Sequence, residues 1–138
     1  MSASAERASA DNGQPVVPEA AMVAARAADA KLGQDTVVLA MGELLGVTDA
    51  FVITSGANSR QLRTIVEEVE RQVKLSAGRS PRATEGLGDL TWVLMDYGDF
   101  LVHVFQHDAR DYYNLERLWG DAPRVAVSGT VAEAAGDD

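Results

Sequence analysis

The chain contains no cysteine, which removes disulfides, thiolate metal sites and cysteine nucleophiles in one step. It also lacks an apolar run of the ~18 residues that a bilayer-spanning helix needs. Its first residues, MSASAERASADNGQ, have no apolar core of the kind a secretion signal requires. Histidine occurs twice, at positions 103 and 107, so imidazole chemistry has few possible addresses. Bases are scarce beside acids, 12 against 21, for a net charge of −9. A surface of that sign argues against gripping phosphate backbones directly. A cytoplasmic protein is the expectation.

A chain of 138 residues, 46% of them hydrophobic, suits a single domain that can bury a core without staples. Its charges are polarised. Bases dominate between Arg60 and Arg82, whereas acids dominate from Glu85 to Glu116. An acidic segment of this kind is compatible with a basic protein partner.

Residues 1–17, rich in Ala, Ser and polar side chains without periodicity, read as a disordered lead-in. Pro18 and Glu19 then open a helix through Leu32, with Gly33 as a left-handed cap. Its apolar stripe is thin, made of Met22, Ala25, Leu32 and the surrounding alanines. TVVLAM (36–41) and AFVITSG (50–56) read as strands, joined by a loop or bulged edge at GELLGVTD. Asn58 starts the most regular element. Asn58 and Gln61 have capping-box spacing, Leu62, Ile65, Val66, Val69 and Val73 form one helical face, and Gly78 closes it. SPRATEG suggests a short strand before the hairpin 91–105. DARDYYNLERLWGD reads as one or two short helices with Asp108 as N-cap. Residues 123–138 read as a tail, leaving 18–122 as the domain. The fold class expected is α+β, a mixed sheet of about five strands with helices against it.

Placing Tyr97-Gly98 in the hairpin loop pairs Asp96 with Asp99, Leu94 with Leu101 and Trp92 with His103. Two carboxylates then face each other at the tip, at a cost of up to ~1 kcal/mol. One hairpin face is wholly apolar and suits the core. The other mixes Trp92, Leu94, Leu101 and His103 with the acids, and both tryptophans and all three tyrosines fall within residues 92–119. Aromatics beside a polar rim suit either a protein-binding patch or the filling of the sheet's second side.

Two other sites deserve weighing. Asp96, Asp99, His103, His107 and Asp108 are possible metal ligands, but the two histidines lie across a strand end, where i,i+4 spacing does not align them. TSGANSR (54–60) precedes a helix and could cradle an anion with help from Arg60, though its spacing matches neither the P-loop nor the dinucleotide fingerprint.

Three segments together, DAFVITSGANSRQ (49–61), WVLMDYGDFLVHVF (92–105) and RDYYNLERLWGD (110–121), resemble the ribosomal silencing factor family, RsfS, also called Iojap-like. The resemblance runs from about residue 19 to about residue 123. It implies a domain related in fold to nucleotidyltransferases, yet Gly56 leads into Ala57-Asn58-Ser59 and the Asp-x-Asp pair that would hold magnesium is absent. Residual nucleotide binding or nucleotidyl transfer stays the alternative. The resemblance implies a non-enzymatic protein without cofactor or metal. Such a protein binds the large ribosomal subunit through the basic ribosomal protein uL-fourteen, blocks the small subunit from joining, and represses translation when nutrients are scarce. It also implies a homodimer. The partner-binding residues carried over by motif are Trp92, Asp96, Tyr97, Asp99, His103, Arg110, Tyr113, Glu116 and Trp119. An Arg110–Asp pairing or a buried Trp119 would instead hold the hairpin to the C-terminal helices. The segment V-L-A-M-G-E-L departs from the family pattern, which usually carries an aspartate soon after the leucine, and residues 123–138 lie outside it.

Overall fold

The computed structural model describes residues 16–46 and 48–127. Most of the expected lead-in (1–15) and of the expected tail (128–138) lies outside these. Six strands form one mixed sheet: β1 (Gln34–Ala40), β2 (Ala50–Gly56), β3 (Ala83–Glu85), β4 (Trp92–Asp96), β5 (Phe100–Gln106) and β6 (Arg124–Val125). Their order across the sheet is β3-β4-β5-β2-β1-β6. The helices are α1 (Glu19–Ala30), α2 (Gly42–Leu45), α3 (Ser59–Ala77), α4 (His107–Tyr113) and α5 (Leu115–Leu118).

At the centre, β2 pairs parallel with β5 and antiparallel with β1. Every residue of AFVITSG is buried, as expected of a strand covered on both faces. α1 and α3 pack on one of those faces. Alanine makes this possible: Ala20, Ala21, Ala24, Ala25, Ala27 and Ala28 are all buried, so α1 sinks into the core almost all round rather than by a thin stripe. α3 contributes Leu62, Ile65, Val66, Val69 and Val73, the face its periodicity predicts. Burying each side chain stabilises by about 1.5–3 kcal/mol relative to leaving it exposed. Asn58 caps α3 by accepting the Gln61 N–H at 2.9 Å, and Gly78 ends it with φ 68°.

Several local expectations need correction. The left-handed residue after α1 is Leu32, with φ 67° and an exposed side chain, whereas Gly33 has no positive φ. Gly33 is required for space, because a Cβ there would collide with Thr54 Oγ1. The GELL stretch forms the single turn α2 rather than a loop. Gln106, not Asp108, occupies the N-cap of α4, and Asp108 sits in the first turn. Two helices form in DARDYYNLERL because Asn114, at φ 48°, breaks them apart. The sheet has a sixth strand because Val125 and Arg124 pair with Val38 and Leu39. Just after it Val127 is buried and packs against the helix-covered core.

The hairpin register also differs. Tyr97 N–H donates to the Phe100 carbonyl at 3.0 Å, so the loop is Gly98-Asp99. Trp92 then pairs with Phe105, Leu94 with His103 and Asp96 with Leu101. Gly98, at φ 93°, takes the first loop position, where primed two-residue turns need a positive φ. The shift of two residues leaves the face of every side chain unchanged, because side chains alternate with period two. It removes the Asp96–Asp99 apposition.

Candidate docking surface

The two faces of the sheet are covered unequally. One lies under α1 and α3. Among the described residues, the other is roofed only by the short elements α2, α4 and α5, over a cluster of Leu39, Met41, Phe51, Ile53, Phe105 and Ala122. Trp92, Leu101, Leu115 and Trp119 pack around its margin, each half-buried.

Aromatic rings run through this layer. Trp92 stacks on Phe105 with centroids 4.9 Å apart and meets Tyr113 at 4.7 Å. Phe51 presents an edge to His103 at 4.8 Å and lies perpendicular to Trp119 at 6.3 Å. Beyond Trp92 the surface opens onto two tyrosines in edge contact, Tyr113, 50% exposed, and Tyr112, 81% exposed. Asp108 and Asp111 are exposed on the same helix and form no ion pair among the described residues.

His103 is buried. The Trp92 indole N–H can only donate, so the His103 Nδ1 that it meets at 3.2 Å is the acceptor. The imidazole proton therefore sits on Nε2, which has no hydrogen-bond partner. Burial lowers the His103 pKa to about 4, keeping the ring neutral at ordinary pH.

Not every residue carried over by motif reaches this surface. Tyr97 faces the helix-covered side, 3% exposed and stacked on Phe100 at 4.6 Å. Burial pushes its phenol up to about 12, and its hydroxyl has no partner. It is a core residue. Arg110 is also buried, and all its donors are engaged. Its guanidinium reaches both Glu116 oxygens at 2.8 and 3.1 Å, the carbonyls of Gln34 and Asp35 at 2.9 and 2.6 Å, and Ser55 Oγ at 3.3 Å. Hydrogen bonding from Arg110 holds the Glu116 carboxyl below its usual range. The pair thus pins α4 and α5 to the bulged start of β1. The anticipated Arg110–Asp pairing is an Arg110–Glu116 pairing, and Trp119 is half-buried rather than buried.

At the hairpin tip, Asp99 takes Arg79 and Asp96 takes Arg82 at 3.4 Å. Asp96 also accepts the Gly98 N–H at 2.8 Å. Both carboxylates have local partners, whereas Asp108 and Asp111 are exposed acids on α4, the helix that carries Tyr113. Helical spacing in DARDYY could have exposed this, since positions 108, 111 and 112 share a face. Nothing in sequence could have revealed Arg79 and Arg82, whose partners lie well along the chain.

The other candidate sites are occupied by the protein itself. In TSGANSR, Gln61 Oε1 accepts the Ala57 N–H at 2.7 Å while its amide donates to the carbonyls of Lys31 and Leu32. These bonds tie the loop to the end of α1. A polar groove of about 740 Å³ runs beside Gln34, Thr36, Ser55, His107 and Arg110, but its buried cation already serves Glu116 and the β1 carbonyls. Among the described residues, no three His, Asp or Glu side chains converge as a cation site, and no helix is long and apolar enough to cross a membrane.

Comparison with known proteins agrees with this architecture. The sequence profile of the family described as "Ribosomal silencing factor during starvation" matches residues 14–138. The chain is 39% identical over 114 residues to the ribosomal silencing factor RsfS of Halalkalibacterium halodurans, covering 83% of this chain and 97% of that one. It is 43% identical over 101 residues to RsfS of Bacillus subtilis, covering 73% and 85%. A crystal structure of a Chromobacterium violaceum protein superposes with a TM-score of 0.70 at 32% identity, covering 74% of this chain and 84% of that one.

Proposed function

The chain belongs to the ribosomal silencing factor family, and we propose that it binds the large ribosomal subunit through the basic protein uL-fourteen. Docked there, it keeps the small subunit from joining and represses translation when nutrients are limiting. The mechanism is steric exclusion, which asks no chemistry of the protein, so the reading is of a non-enzymatic cytoplasmic regulator that forms a homodimer. The observation that carries it is the thinly roofed sheet face. Trp92, fixed among Phe105, Tyr113 and His103, stands at the edge of an exposed aromatic patch made by Tyr113 and Tyr112. Anchors of this kind supply most of the affinity in protein interfaces. The exposed carboxylates of Asp108 and Asp111 complement a basic partner and speed its approach.

The test is co-sedimentation of the purified protein with isolated large and small subunits. Association with large subunits alone, together with a lower yield of joined ribosomes, is the expected result. Equal association with both subunits, or with neither, would sink the proposal. Analytical ultracentrifugation of the free protein tests the dimer.

A further inference from the structure

A buried histidine in an otherwise apolar aromatic layer needs a reason, because an unpartnered polar group costs about 1–3 kcal/mol on burial. Phenylalanine or leucine would fill the space of His103 without that cost. What neither supplies is an acceptor. His103 Nδ1 is the hydrogen-bond acceptor that meets the Trp92 indole N–H. The other ring nitrogen serves nothing among the described residues.

The indole is thereby held three ways. Phe105 stacks beneath it, Tyr113 leans on it, and His103 fixes its rotation about the ring-to-backbone bonds. His103 itself is wedged between strands, paired with Leu94 on one side and Ile53 on the other, with the Phe51 edge against its ring. An acceptor so placed does not move. A half-exposed tryptophan without it would sample other rotamers and lose that freedom on binding, at about 0.5–1.5 kcal/mol for an immobilised side chain.

We infer that His103 is a positioning residue of the docking surface, which acts by presenting Trp92 to the partner in a single preformed orientation. It makes no contact with the partner, since its ring is enclosed by the protein's own side chains. This rests on the reading that Trp92 docks on the large subunit.

The experiment uses the full chain and isolated bacterial large subunits. Binding is measured by sedimentation and exchange of the Trp92 indole hydrogen by NMR, with a Trp119→Phe sample to assign the two indole signals. His103→Leu should speed indole exchange and weaken binding about tenfold, the scale of one net hydrogen bond. His103→Asn places an amide oxygen near the position of Nδ1 and should restore both slow exchange and tight binding, a rescue that a purely space-filling role does not predict. Trp92→Phe breaks the same bond from the other side, and the double variant with His103→Leu should bind no worse than the weaker single one. Wild-type binding by His103→Leu overturns the inference, as do additive losses or an asparagine variant as weak as the leucine one. Should His103→Leu fail to fold, full binding by Trp92→Phe overturns it equally. Trp92→Ala separates the two readings. If it binds normally, both the docking reading and this inference fall. If it binds weakly while His103→Leu binds normally, only the inference falls.

Discussion

Arg79 closes on Asp99 with Nη2 2.6 Å from Oδ1, and the same nitrogen donates to the Tyr97 carbonyl at 2.7 Å. One guanidinium therefore holds both the first strand end and the loop of the hairpin. It also lies 5.5 Å from the centre of the Phe100 ring. The hydrogen bond to Asp99 raises the Arg79 pKa further above its already high value. The two aspartates of DYGDF are thus stabilising members of separate ion pairs and do not repel each other across a ladder.

Neutralising Asp99 should consequently weaken the fold. Both partners are about a third exposed, so the loss for Asp99→Asn is modest, about 1 kcal/mol. Urea unfolding measures it. Unchanged or raised stability would mean that the carboxylate is a net burden at the tip.

Replacing Arg110 should be far more damaging. Arg110→Met strands the Glu116 carboxylate and the carbonyls of Gln34 and Asp35, at a cost of about 3–5 kcal/mol. Arg110→Lys keeps the charge but loses the planar fork, and should fall between the variant and the wild type. Equal stability of all three in thermal unfolding would show that the guanidinium does not tie α4 to β1.

Tyr97→Phe removes a buried hydroxyl that has no partner. Stability should hold or rise by about 1 kcal/mol, and association with large subunits should be unchanged because the ring lies under the helices. Weakened association with an intact fold would return Tyr97 to the docking surface.

Leu32 and Gly33 offer a paired test. Leu32→Gly relieves a positive φ and should stabilise by about 1 kcal/mol. Gly33→Ala drives a methyl group into Thr54 and should destabilise by about 1–3 kcal/mol. Differential scanning calorimetry of both variants reads the opposite signs; matching signs would refute the assignment.

His103 makes stability depend on pH. Its folded pKa is about 4, against ~6.5 in an unfolded chain, so between these values only the unfolded chain binds the extra proton. Stability is full above about pH 6.5 and falls toward pH 4, with a slope of about 1.4 kcal/mol per unit through most of that window. His103→Asn should lack this component. Glu116 loses its stabilising contribution at lower pH still, and in both proteins, so the difference between their unfolding curves isolates the histidine. Parallel curves would show that His103 is readily protonated in the fold.

Elements governed by local rules were legible from the chain alone. The periodicity of α3, its Asn58 cap, the buried run of β2 and the two hairpin strands appear where their residues predict. Misreadings arose where a long-range contact decides between local options. Gly33 looks like a helix cap until Thr54 is brought against it. The register of the hairpin depended on which residue took the left-handed position, and a tyrosine before glycine hides that choice. β6 is invisible because two residues are too short a run to read as a strand until β1 lies beside them. For the candidate surface, the motif names residues but cannot tell a side chain that faces outward from one turned inward. Trp92 and Tyr113 lie at the exposed layer, while Tyr97 and Arg110 are structural.

The pairing of β6 with β1 also has a consequence for synthesis. β1 is made early in the chain, but its outer edge stays unpaired until Arg124 and Val125 have emerged. Most of the roof over the Trp92 face, α4 and α5, is also made late. A nascent chain therefore carries an open β1 edge until nearly the whole domain has left the exit tunnel. Unpaired edges invite strand addition by other chains, so this period is when the protein is most exposed to misassembly. Only the completed domain presents a fixed Trp92, which separates a finished regulator from its own nascent form on the translating ribosome.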